Sequence, residues 1–212
     1  MNPIISAQHL SKQYRVHRGR PDSLKEAVVR RKKNRSSSEF WALKEVSLDI
    51  KEGSFFGLIG HNGSGKTTLL KLMAGIHNPT SGQLKVNGRV SALLELGSGF
   101  HPELSGRENI YLNGAILGLT RREMDLAVDE IIEFSDIGDF IDAPVKILSS
   151  GMYVRLGFAV AVHVAPEILL IDEVIAVGDE AFQRKCLEHL YELRRAGTTI
   201  VLVSHSLPLV EG

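Results

Sequence analysis

Strand-like runs towards both ends of the chain, with a helical stretch between them, predict an α/β fold carrying an inserted helical subdomain. Three observations support this. The short apolar run Ser54–Ile59 meets a glycine cluster and gives way to a helical pattern over Lys66–Ala74, the order strand, turn, helix. Strand-like runs return at Ile168–Asp172 and Thr198–Ser204, separated by a helical stretch near 179–195. From about 97 to 164 the pattern turns mostly helical, with pieces near 106–118, 122–134 and 151–164. A helical middle flanked by strands places an insertion inside one α/β core.

The remaining elements follow in order. Ala42–Ile50 alternates apolar and polar residues, as a half-buried strand does. Gln83–Asn87 and Val90–Leu96 are strand-like. At 212 residues, 43% of them apolar, the chain can bury one sizeable core with an attached subdomain. The expected division is a core of residues 1–96 and 165–212, with 97–164 as the helical subdomain. No internal repeat or long low-complexity segment occurs.

Lys+Arg and Asp+Glu both number 25, which excludes a generic polyanion binder. The balance hides an asymmetry. Between residues 11 and 35, ten basic side chains (Lys12, Arg15, Arg18, Arg20, Lys25, Arg30, Arg31, Lys32, Lys33 and Arg35) face only Asp22 and Glu26. Pro21 followed by Ser23-Leu-Lys-Glu26 reads as a capping box. It opens a short basic helix near 24–33, inside an insertion at about 20–38. The single cysteine, Cys186, excludes an internal disulfide framework and fits a reducing compartment. The longest apolar stretches fall far short of the roughly 18 residues a membrane span needs. Residues 1–11 lack the pattern of a secretory signal, so the expected setting is cytoplasmic.

Gly60-His61-Asn62-Gly63-Ser64-Gly65-Lys66-Thr67 matches the phosphate-binding loop, glycine, four residues, then Gly-Lys-Ser/Thr. Glycines let the backbone amides curl inward onto phosphate oxygens. The helix that follows adds its positive N-terminal end. Lys66 is expected to reach the β- and γ-phosphates, Thr67 to ligate magnesium, and Thr68 to join the nucleotide-binding set. Ile168-Leu-Leu-Ile-Asp172-Glu173 puts a carboxylate at the C-terminal edge of a buried strand, where Asp172 can hold the magnesium shell. Glu173 is placed to polarise an attacking water. These two stretches predict a nucleoside triphosphatase.

Further motifs resemble those of ATP-binding cassette (ABC) proteins. Leu148-Ser149-Ser150-Gly151-Met152 looks like a variant of their signature loop, usually Leu-Ser-Gly-Gly-Gln. Asp179 falls where the D-loop aspartate does, and His205 where the switch histidine does. Tyr14 falls where an aromatic ring stacks on adenine. The resemblance implies a RecA-like phosphate-loop core, an N-terminal antiparallel β region, and ATP and Mg²⁺ as cofactors. It also implies a homodimer, in which Ser149, Ser150, Gly151 and Asp179 meet nucleotide held on the partner.

The departures from the family pattern narrow the expectation. The Q-loop glutamine is missing from Leu94–Pro102, which leaves Glu95 as its substitute for magnesium. Together with the basic insertion before Phe40-Trp41-Ala42-Leu43, the variant motifs resemble ATPase subunits of O-antigen, capsule and teichoic acid exporters. Such a subunit sits on the cytoplasmic face of the membrane under a permease, and contacts the lipid-linked polysaccharide only indirectly. Other ABC importers or exporters are the alternative reading. A soluble ABC ATPase acting on ribosomes or DNA is disfavoured by the single cassette and the lack of heptads, so no nucleic-acid partner is expected. The absence of Asn-Lys-x-Asp disfavours a GTPase. The sequence stops soon after His205, where cassettes normally continue, so a longer C-terminal region is expected.

Overall fold

The computed structural model describes residues 3–16, 38–94, 97, 99–172 and 179–204. Two sheets organise them. Strands β1 (Ile5–Val16), β2 (Ser38–Ile50) and β4 (Ser81–Val86) form an antiparallel sheet in the order β2-β1-β4. Strands β3 (Phe55–Ile59), β5 (Val90–Leu93), β6 (Ile168–Asp172) and β7 (Thr199–Ser204) form a parallel sheet in the order β3-β7-β6-β5.

β6 is apolar up to its terminal Asp172 because both of its faces are covered: Ile168, Leu169, Leu170 and Ile171 are all essentially buried. Parallel strands sandwiched in this way read as continuous apolar runs rather than alternating ones. Leu169 and Ile171 join a cluster with the helical middle, whereas Ile168 and Leu170 join a second cluster with the antiparallel sheet.

Helix α1 (Lys66–Met73) follows β3 and buries Leu69, Leu70, Leu72 and Met73 against the second cluster. The middle of the chain contributes α2 (Gly106–Ile116), α3 (Arg121–Ser135) and α4 (Ser150–His163). Capping boxes open α2 and α3, Ser105 with Glu108 and Thr120 with Glu123, satisfying amides that the helix itself leaves free. Those amide and hydroxyl bonds hold both carboxyls below the usual range.

Met124, Val128, Ile131 and Phe134 form the apolar stripe of α3. The α4 stretch Leu156–Val162 is buried on all sides, because it lies between that stripe and the sheet. Two 3₁₀ turns, Gly138–Asp142 and Val145–Ile147, connect α3 to α4. Helix α5 (Glu180–Arg195) packs Phe182, Cys186 and Leu190 onto the same cluster. Burial pushes the Cys186 thiol up to about 12, so it stays protonated.

Several expectations shift. β2 begins at Ser38 rather than Ala42, and β5 ends at Leu93 rather than Leu96. β1 was not anticipated as an individual strand. Register shifts between Ala7 and Gln13 break its alternation, and His9 takes a positive φ of 47°. The expected capping box at Ser23 and helix near 24–33 lie outside the described residues. Among the described residues no helix is long and apolar enough to cross a membrane.

Candidate nucleotide site

The loop from β3 to α1 presents its residues around a cavity of about 230 Å³. Asn62, Gly63, Gly65, Lys66, Thr67 and Thr68 line it, joined by Asp172 from the end of β6. Parallel pairing explains the meeting. Ile59 pairs with Ser204 and Asp172 with Val203, so β3, β6 and β7 end at one edge, the usual ligand edge of an α/β sheet.

Gly65 caps α1 in the left-handed region, with φ of 94°. A Cβ there would lie 2.5 Å from the Ala42 carbonyl oxygen and 2.8 Å from Leu43 Cδ2, so only glycine fits. With no capping side chain at Gly65, the first-turn amides of α1 are left to an outside acceptor, the ordinary anion site of a helix start. Lys66 Nζ donates to the Gly60 carbonyl at 2.6 Å and to the His61 carbonyl at 3.1 Å, which holds the ammonium against the loop. The Ser64 amide closes the turn onto the His61 carbonyl.

This cradle fits a polyphosphate. The Thr67 hydroxyl and Asp172 carboxylate on the same cavity wall are hard oxygen donors suited to Mg²⁺. Among the described residues no three His, Cys, Asp or Glu side chains gather as a metal cluster. A small cation held here would therefore take its other ligands from phosphate and water.

The other expected residues lie elsewhere. Ser149 caps α4, accepting from the Met152 amide at 3.2 Å, and Ser150 and Gly151 open that helix. None of the three lines the phosphate-loop cavity. The N-cap of α5 is Asp179, whose Oδ1 accepts from the Phe182 amide at 2.9 Å. Tyr14 packs edge-on against His77, with ring centroids 5.9 Å apart, and Lys12 Nζ lies 5.2 Å from its ring centre. Glu95, Glu173 and His205 lie outside the described residues.

Three further groups were not anticipated. Phe40 and Ala42 line the cavity from β2; the i, i+2 spacing of a strand extended back to Ser38 would have revealed them. Tyr153 donates its hydroxyl to the Gly97 carbonyl at 2.8 Å. Fully buried Asn109 accepts from the His101 amide at 2.6 Å and donates to the carbonyls of His101, Leu104 and Ser105. It thereby fixes the loop before α2.

A phosphate loop at the end of a parallel strand, with a carboxylate from a neighbouring strand on the same wall, defines a nucleoside triphosphate-binding cassette. The chain belongs to the ABC transporter family, whose model matches residues 43–176. It is 54% identical over 201 residues to the O-antigen export system ATP-binding protein RfbB of Myxococcus xanthus, covering 93% of this chain and 46% of that one. Against the RfbB of Klebsiella pneumoniae it is 45% identical over 214 residues, covering 100% and 87%. Against the teichoic acids export ATP-binding protein TagH of Levilactobacillus brevis it is 44% identical, covering 98% and 56%. The chain thus spans about half the length of the first and third of these relatives. An ATP-binding cassette solved as a dimer with ADP and phosphate shares the fold at a TM-score of 0.74 and 21% identity, covering 97% and 90%.

Proposed function

We infer that this chain is the ATP-binding and ATP-hydrolysing subunit of a transporter that exports a lipid-linked polysaccharide of the O-antigen, capsule or teichoic acid type. The observation that carries the ATPase reading is the shared cavity of Lys66, Thr67 and Asp172. The export reading is supported by the names of the O-antigen and teichoic acid relatives.

Lys66 and the loop amides bind the β- and γ-phosphates; Thr67 and Asp172 would hold magnesium, with Glu95 as a further candidate ligand. Magnesium, when bound, neutralises phosphate charge. Glu173 accepts a proton from the attacking water, a contribution of roughly 10²–10⁴ in rate. His205 hydrogen-bonds the γ-phosphate or that water.

Ser149, Ser150 and Gly151 form an anion site at the start of α4, away from the chain's own phosphate cavity. This separation supports two half-sites in one subunit, each completed by a second copy. Residues 97–164 act as the signature-bearing unit. The dimer docks under a membrane permease on the cytoplasmic face, with no nucleic acid involved.

The test mixes two variants. Glu173→Gln keeps ATP binding, lowers turnover about 100-fold or more, and traps a dimer seen by size-exclusion chromatography with ATP. Ser149→Arg alone is inactive as well. An equal mixture recovers part of the turnover, because one of the two composite sites then carries both an intact Glu173 and an intact Ser149. No recovery, together with a monomer under ATP, overturns the shared-site reading. Polysaccharide export that persists in cells carrying Glu173→Gln as their sole copy overturns the transport reading.

A further inference from the structure

Three Asn–Gly pairs occur in the chain, at 62–63, 87–88 and 113–114. A glycine after asparagine puts no side chain in the way of its own nitrogen, so that nitrogen can reach the asparagine's side-chain carbonyl. The attack requires the glycine amide to lose its proton, and the charges around each pair decide how readily it does. Asn113 and Gly114 lie inside α2, where the Asn113 carbonyl accepts from the Leu117 amide at 2.9 Å and a Cβ on Gly114 would collide with Met124. The helix fixes that peptide unit. Asn87 and Gly88 are exposed between β4 and β5, but a carboxylate lies beside them: a Cβ on Gly88 would stand 2.9 Å from Glu167 Oε2. Negative charge there opposes ionisation of the Gly88 amide.

Asn62 and Gly63 have the opposite surroundings. Both are exposed on the wall of the phosphate cavity, and a Cβ on Gly63 would meet nothing within 4 Å. Among the described residues no acceptor engages the Gly63 amide. The His61 Nδ1 lies 2.9 Å from the Asn62 carbonyl oxygen. That oxygen can only accept, so Nδ1 carries the proton. The carbonyl belongs to the same peptide unit as the Gly63 N–H, and the bond therefore stabilises the anion left when that proton goes. The Lys66 ammonium donates to the neighbouring His61 carbonyl at 3.1 Å, and the positive end of α1 opens at Gly65. A loop suited to polyphosphate is equally suited to the anions of this reaction.

We propose that Asn62 is a covalent modification site, at which the empty loop closes on itself as a succinimide. Hydroxide takes the Gly63 amide proton, and the nitrogen attacks Asn62 Cγ, forming a C–N bond and a tetrahedral oxyanion. The oxyanion collapses as the Cγ–Nδ2 bond breaks, and Nδ2 leaves as ammonia after taking a proton from water. Water then opens the ring at either carbonyl, leaving an aspartyl or isoaspartyl residue at position 62. The net change is uptake of water and release of ammonia, with no electron transfer. Either product puts a carboxylate in the cradle, where it repels phosphate, and the isoaspartyl form also lengthens the backbone by a methylene. Bound nucleotide prevents the reaction, because its phosphates occupy the loop amides. The consequence for ATP rests on the reading of this loop as the nucleotide site; the ring closure does not.

The test incubates the purified full chain at mildly alkaline pH, either alone or with magnesium and a non-hydrolysable ATP analogue. Peptide mass spectrometry reads aspartyl and isoaspartyl formation at Asn62, Asn87 and Asn113, and a fluorescent ATP analogue titrates the binding sites that survive. Without ligand, Asn62 reacts about tenfold faster than Asn87, and Asn113 is the slowest. The fraction of binding sites lost matches the fraction converted at Asn62. The non-hydrolysable analogue suppresses conversion at Asn62 and leaves Asn87 unchanged. His61→Phe keeps a ring but removes the donor, and slows Asn62 alone. Asn62→Asp binds ATP weakly from the outset. A wild-type rate at Asn62 no higher than at Asn87 overturns the proposal, as does converted protein that binds ATP in full. A fresh chain that binds no nucleotide overturns the phosphate-loop reading instead, and the rates measured without ligand still decide the ring closure.

Discussion

Tyr14 and Phe40 are register partners across the β1–β2 ladder, yet they meet different surroundings. Directly opposed residues of an antiparallel pair share a face. Phe40 is 56% exposed and lines the phosphate-loop cavity, whereas Tyr14 is half-buried against His77. Trp41 pairs with Gln13 and belongs to the opposite face.

With Phe40 on the cavity wall, we propose that adenine stacks on Phe40 as well as on Tyr14. Tyr14→Ala and Phe40→Ala each raise the ATP concentration needed for half-maximal binding, by about three- to tenfold on typical ring-stacking energies. Tyr14→Phe and Trp41→Ala change little. Titration with a fluorescent ATP analogue measures all four, and a loss confined to Trp41→Ala sinks the assignment.

The Gly65 position tests the cradle apart from its charge. Gly65→Ala places a Cβ against the Ala42 carbonyl at a positive φ, and the strain moves the start of α1 and its amides away from the phosphates. ATP binding weakens by about tenfold or more, while circular dichroism keeps the native helix content. Lys66→Ala weakens binding by removing the ammonium from phosphate, together with its two hydrogen bonds to the Gly60 and His61 carbonyls. Full ATP affinity in both variants counts against the phosphate loop.

A pH dependence follows from His163. Its ring stacks on His189 at 4.5 Å and meets Phe134 edge-on at 4.9 Å. Burial is the largest cause holding its pKa below the ordinary value of 6.5. The folded state therefore resists a proton that the unfolded chain accepts, and its stability falls as pH drops below 6.5. The melting temperature declines between pH 7 and 5.5, and His163→Gln flattens that decline. An identical slope in wild type and variant removes His163 as its source.

Much of the core and phosphate loop can be read from sequence because their chemistry is contiguous. Ile168–Asp172 is one unbroken apolar run ending in a carboxylate, and its bounds as a strand match the reading. β1 escapes because its bulges interrupt the alternation that marks a strand. Phe40 escapes when β2 is begun four residues late. The ion pair between Arg155 and Asp179 spans 24 positions and joins two helices, so no local pattern encodes it. Asn109 looks like an ordinary helix residue until the preceding loop folds back onto its amide.

The pairing of β3 with β7 bears on how the protein emerges from the ribosome. Phe55 has its ladder partner at Ile200, so the strand that supports the phosphate loop is made early and must wait for nearly the whole chain. At roughly 5–20 residues per second the delay is on the order of ten seconds. During that interval the apolar strand Phe55–Ile59 has no β7 beside it and presents an edge open to other chains. Nascent chains halted before residue 199 should therefore bind chaperones and fail to retain ATP, while release of the completed β7 strand lets the nucleotide pocket close around its ligand.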